Sequence, residues 1–212
     1  MYPAKHFQSR DQDLDLLFCV ISQDPLATLV FIDTEQMPHI SHIPCHFAVN
    51  NDVIVAHVSN DHPLAAKLNA ASTSNDGVDI SLIFHGESGY VSPNFVPIDE
   101  REGQMVPSWN YIKVHVTGCA TAITAPADKY QQMALTSAHF EQYQAQPWTL
   151  DSASSTAINH MLKAITVFSV SIVGLEGRFK LSQNKSANMR SHIAEQLSLQ
   201  GKKLLAQQMR SV

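Results

Sequence analysis

Cysteine is scarce in this 212-residue chain, and the three present, Cys19, Cys45 and Cys119, form no close pair. An odd count without a CxxC spacing indicates neither a disulfide framework nor a thiolate metal site, so reduced, partly buried thiols are expected. Long hydrophobic runs are missing as well. No window approaches the roughly 20 apolar residues that cross a bilayer, and the opening MYPAKHFQSRDQD turns polar and acidic at once in place of a signal-peptide core. The expectation is a cytoplasmic protein with no membrane partner. A glycine-rich phosphate loop, a GxSxG elbow and an HExxH pair are absent too. Eleven histidines are present, and His42 and His46 are four apart, but Pro44 between them opposes a helix. Along a strand the two would lie roughly 13 Å apart, too far for one ion's first shell.

What is present is enough for one core. The chain is 44% hydrophobic, and two independent cores would each be small, so one domain over 1–212 is expected, with 186–210 as a basic helical segment. The net charge of −5 is unevenly spread. From Arg178 onward, Arg178, Lys180, Lys185, Arg190, Lys202, Lys203 and Arg210 face Glu195 alone, a local +6 against −11 for the remainder. Such a tail suits nucleic acid, phosphate or the acidic face of a second subunit, and equally suits a solvated helix.

Periodicity assigns the elements. Asp13 to Ile21 reads as a helix with Leu14, Leu17, Phe18 and Ile21 on one face, capped by Asp11 or Asp13 and ended by Pro25. Leu26 to Ile32, Ile40 to Val49 and Asp52 to Val58 read as successive strands, the last two joined through Asn50-Asn51. Pro63 to Ala71 is a short helix and Val78 to Phe84 a strand. Gly86 to Pro97 is irregular yet aromatic. Tyr111 to Thr124 alternates over a long strand. Pro126 starts a helix with Tyr130, Met133, Ala134 and Ser137 inward, Thr156 to Ala164 is a further helix, and Val167 to Leu175 is β-branched strand. Ser186 caps a last helix carrying Met189, Ile193 and Leu197, which Gly201 interrupts. Six or so antiparallel strands with scattered helices predict a mainly β member of the α+β class, a small barrel with peripheral helices and a C-terminal helix.

Three polar clusters carry candidate chemistry. Val106-Pro107-Ser108-Trp109-Asn110-Tyr111 can border a flat heteroaromatic ring and bond to its edge, or can simply pack a barrel corner. Gly177 through Ser186 offers cationic, hydroxyl and amide groups before a helix amino terminus, which suits phosphate, or else a polar cap. His57 to Pro63 can contact phosphate or cap a helix.

The runs Met1 to Phe7, Ser41-His42-Ile43-Pro44, Gly89 to Pro93, Val106 to Tyr111 with Val114-His115 and Gly118, and Lys180-Leu181-Ser182-Gln183-Asn184 together resemble the PaiB-type family of FMN-binding negative transcriptional regulators. The resemblance implies a split β-barrel of the FMN-binding type. It also implies a homodimer with FMN sites built from both subunits, lined or supported by His42, Trp109, Asn110, Lys180, Ser182 and Gln183, with Lys180 nearest the phosphate. DNA contact, if made, falls to the basic C-terminal segment. Two positions depart from the family's pattern: Asn60 and His62 stand where relatives tend to carry arginine and asparagine, and Met189 precedes Arg190 in place of aspartate. A flavin-dependent oxidoreductase of a small substrate, or a cofactor-free dimeric interaction module, remain as other readings.

Overall fold

The computed structural model describes residues 14–48, 53–73, 76–101, 103 and 105–212. In chain order the elements are α1 (Leu14–Gln23), β1 (Leu26–Ile32), β2 (Pro38–Phe47), β3 (Val53–Ser59), α2 (Pro63–Ala71), β4 (Val78–Phe84), β5 (Ser88–Val91), β6 (Ser108–Ala122), α3 (Pro126–Glu141), α4 (Ser155–Lys163), β7 (Ile165–Lys180), α5 (Ala187–Leu199) and α6 (Lys203–Arg210). They fall into two compact units. One, the ring unit, uses residues 25–83 and 116–175. The other, the three-strand unit, uses residues up to Asp24 together with 84–115 and 176–212.

The ring unit is built on six strands in the order β4-β1-β2-β3-β7-β6, with β6 pairing back to β4. Alternation sets its inside. Ala27 and Leu29 of β1, Ile43 and Cys45 of β2, Ile54, Ala56 and Val58 of β3, Ile80 and Leu82 of β4, and Phe168 and Val170 of β7 are all buried. The β3–β7 register places Ile54 opposite Val170 and Ala56 opposite Phe168, so the inward faces coincide. Gly118 is what lets β6 approach β7: a Cβ there would stand 2.6 Å from both the Ser171 carbonyl oxygen and Val170 Cγ1.

In the three-strand unit β5 pairs antiparallel with β6, from Ser88 opposite Tyr111 to Val91 opposite Ser108. Strand β6 lies beside β7. Its cover comes from the last two helices. Met189, Ile193, Ala194 and Leu197 of α5 and Leu205, Ala206 and Met209 of α6 are buried, each large side chain contributing about 1.5–3 kcal/mol of gross transfer free energy. Gly201, at φ +81, makes the break between the two helices. Glu87 then caps the second, its carboxylate accepting from the Leu205 amide at 2.9 Å.

The expectation of a mainly β split barrel is corrected here. The six α-helices hold about as many of the described residues as the seven strands, so the fold is α+β, and its strands form a ring. The helices were underweighted because their apolar stripes are short and interrupted. Three local readings also change. Gly86 to Pro97 contains the short strand β5 and a 3-10 turn at Pro93–Phe95, recruited by pairing with β6. Strand β7 continues five residues past Leu175, so Gly177 to Lys180 is strand and the turn begins after it. In α3 only Thr136 is buried, and the stripe of Tyr130, Met133, Ala134 and Ser137 is not. The readings at Asp11 and Asp13, at Asn50-Asn51 and over Met1 to Phe7 lie outside the described residues.

Gly118→Ala should therefore destabilise the protein by about 3 kcal/mol, since the methyl meets a backbone carbonyl that cannot rotate away. Urea unfolding of the variant, with the midpoint shifted and the slope unchanged, checks this.

Candidate functional site

Two of the three polar clusters meet inside the three-strand unit. Lys180, the last residue of β7, donates from Nζ to Ser108 Oγ at 2.9 Å. Two residues further along each segment, Asn110 Nδ2 donates to Ser182 Oγ at 2.9 Å, and the Ser182 hydroxyl reaches Asn110 Oδ1 at 3.2 Å. Asn110 Nδ2 also lies 3.2 Å from Met209 Sδ of α6. The Asn110 side chain is 0% exposed. A fully buried amide must have its partners inside the protein, and here they are the β7–α5 turn and α6.

The turn is shaped for this. Ser182 takes the left-handed conformation at φ 60, uncommon for a residue with a side chain, and Gln183 closes the bend. Gln183 Oε1 accepts from the Leu181 amide at 2.8 Å and Nε2 donates to the Phe179 carbonyl at 2.5 Å. Ser186 then caps α5, accepting from the Met189 amide. Arg190, for which aspartate is missing at 189, uses backbone instead, donating to the carbonyls of Lys185 and Val212.

Trp109 alternates to the opposite side of β6 from Asn110. It is 56% exposed and meets Tyr90, its cross-strand partner, edge to face at 6.1 Å between centroids. Tyr111, Lys113 and His115 follow at the same period. Burial lowers the Lys113 ammonium and the His115 imidazole, the latter further depressed by the charge of Arg178, and burial raises the Asp24 carboxyl nearby. Arg178 donates from Nη2 to Glu176 at 2.6 Å, while its Nε and Nη1 are buried with no hydrogen-bond partner among the described residues.

That donor set suits a flat anion. An exposed indole offers a face, Lys180 a charge, and the unfilled guanidinium donors of Arg178 an unmet demand for acceptors. Sequence reading placed Arg178 in the second cluster without singling it out, because only burial distinguishes it from the other basic residues of the tail. It missed Met209 because an amide-sulfur contact leaves no local pattern.

His42 stands in the ring unit. It lies on the outward face of β2, opposite Thr28 of β1, whose hydroxyl is 3.1 Å from His42 Nδ1. The third polar cluster also belongs to that unit, where it caps and pins. His62 Nδ1 accepts from the Leu64 amide at the start of α2, which leaves Nε2 to donate to Ser41 Oγ at 3.0 Å. Asn60 donates to the Lys163 carbonyl and accepts from Thr166. Among the described residues no group of three or more His, Cys, Asp or Glu side chains is placed to hold a metal, and no helix is long and apolar enough to cross a membrane.

A family model described as "Putative FMN-binding domain" matches residues 1–173. The chain belongs to that family. It is also 25% identical over 200 residues to the protease synthase and sporulation protein PAI 2 of Bacillus subtilis, covering 93% of this chain and 89% of that one. Among solved structures, the flavocytochrome Anf3 of Azotobacter vinelandii superposes with a TM-score of 0.59 at 16% identity, over 85% of this chain and 72% of that one. The FAD and heme binding protein of Mycobacterium smegmatis gives 0.54 at 19% identity, over 87% and 78%. At these identities the two structures establish a shared fold.

Burial also fixes a pH response. His46, His57 and His115 all have imidazoles depressed below the ordinary value of 6.5, so near pH 6 the unfolded chain binds more protons than the folded one. Stability should be fully present above pH 6.5 and fall as pH drops from there toward the depressed folded values. The urea midpoint should be lower at pH 5.5 than at 7.5, and His57→Asn should narrow the gap. A midpoint flat across that interval would contradict the assignment.

Proposed function

We propose that this protein binds FMN in the three-strand unit, with the phosphate at Lys180 and the ring system against Trp109, and that it works as a homodimeric regulator of the PaiB type. The observation that carries the reading is the bond between Lys180 Nζ and Ser108 Oγ, which ties a cation to the residue that precedes an exposed indole. Asn110, Ser182 and Gln183 take supporting parts. They fix the turn from which Lys180 extends, and Asn110, enclosed as it is, acts by positioning. Bound FMN would supply a two-electron acceptor; the chain's own residues orient and charge-match it.

The homodimer rests on the ring unit. On the outward side of β1 and β2, Leu26 pairs with Pro44, Val30 with Ile40 and Ile32 with Pro38, and Leu26 and Ile40 are 59% and 66% exposed. An apolar strip of this kind is a liability in a monomer and a ready interface for a second copy. His42 sits within it. Regulation through DNA draws on the basic segment, although Arg178, Lys180 and Arg190 are already engaged internally, which leaves Lys185, Lys202, Lys203 and Arg210 as the footprint.

Freshly purified protein should show the visible absorption of bound FMN, or take up added FMN with quenching of its fluorescence. Lys180→Ala should weaken that binding by about tenfold, the loss of one charge-assisted contact. An unchanged dissociation constant in the folded variant would remove Lys180 from the site. Ile40→Lys should convert a dimer to monomer by sedimentation, and a wild-type chain that is already monomeric would exclude the interface. Reduction of the protein's flavin by NADPH faster than free FMN would favour an oxidoreductase over a regulator.

A further inference from the structure

The ring unit holds a recess that shares no residue with the proposed flavin site. It is a groove of about 800 Å³ between α3 and the outer side of β2, β3 and β7, a volume in the range that encloses small ligands. Helix α3 is loosely held. Of its sixteen residues only Thr136 is buried; its amino end is tied down by Lys129, which donates to the Leu162 and Ile165 carbonyls, and its middle by the contact of Thr136 Oγ1 with His46 Nε2 at 2.8 Å. His46 Nδ1 lies 2.9 Å from the Phe47 carbonyl and so donates there, while the Thr136 hydroxyl, 2.8 Å from both His46 Nε2 and the Gln132 carbonyl, has one hydrogen to share between them. The His139 ring stacks on His46 at 5.1 Å, with its plane 22° away.

The lining decides what the groove can take. Val55, Leu135 and Ala138 give apolar walls, while Gln132, His139 and Ser169 bring side-chain polar groups that are not hydrogen-bonded to any described residue. None of the described lining residues is Lys, Arg, Asp or Glu. A phosphate or carboxylate entering would lose its hydration without gaining a counter-charge, at a cost that no neutral amide or imidazole offsets. A flat, uncharged molecule loses little and gains both walls and hydrogen bonds.

We propose that this groove is a binding site for a neutral, planar aromatic or heteroaromatic small molecule bearing an amide-like donor and acceptor, held by Gln132, His139 and Ser169. Because the ligand would lie under α3, beside the His46–Thr136 contact, binding stiffens that helix. The site is independent of FMN.

Benzamide and benzoate, nearly the same in shape and different in charge, make the test. Titrated into the full-length protein, benzamide should shift the imidazole NMR signals of His46 and His139 saturably, with benzoate at least tenfold weaker. Ala138→Trp, which fills the groove, should weaken benzamide at least tenfold while FMN titration is unchanged. Gln132→Ala, on the surface of α3, should weaken it about fivefold and guards against misfolding of the tryptophan variant. Equal affinity for the two compounds, no saturable shift, or full binding by both variants would overturn the proposal. Coverage of the groove by a second copy of the chain would silence both titrations and overturn it equally.

Discussion

The three-strand unit depends on one buried amide. Asn110 is enclosed on β6, and its hydrogen-bonding groups are met by Ser182 in the turn after β7 and by Met209 in α6. Three segments far apart in sequence are thereby tied at a point with no access to water, where an unmet amide would cost about 1–3 kcal/mol. The left-handed backbone at Ser182 is held by that closure, and the direction of Lys180 follows from it. Strand alternation does the remainder: with Asn110 turned inward, Trp109 has to face outward.

Much of this was legible beforehand, and the reasons are specific. The limits of β1, α2 and β4 follow from apolar alternation ended by proline, glycine or a cap. The α5 stripe of Met189, Ile193 and Leu197 and the break at Gly201 follow from helical period and from glycine's freedom at positive φ. What sequence could not give were features created by tertiary partners. Strand β5 is four residues long and exists because β6 pairs with it. The polar run after Gly177 reads as a turn, yet continues β7 because β6 supplies a neighbour. The stripe expected on α3 is left largely unburied, since the helix is held by polar contacts, from Thr136 to a histidine of β2 and from Lys129 to the carbonyls of Leu162 and Ile165.

The site shows the same division. Trp109, Asn110, Lys180, Ser182 and Gln183 come together in one unit, whereas His42 belongs to the other and stands on the face proposed for the second copy. Residue type alone could not separate the buried amide, which positions, from the exposed indole, which can touch a ligand. Alternation along β6 separates them at once. The clusters around His62 and Asn60 looked suited to phosphate, and their polar atoms are instead largely engaged in capping α2 and fastening β3 to the end of α4.

Neither unit is continuous in the chain, and this bears on how the protein is made. The three-strand unit draws on residues 14–24, on 84–115 and on the final stretch from Glu176. Its central amide waits for Met209, and its Glu87 cap waits for Leu205. On a ribosome, where emergence proceeds from the amino end, the ring strands can pair while those partners are still being added. The aromatic and cationic groups of the other unit would then be the last to acquire fixed positions.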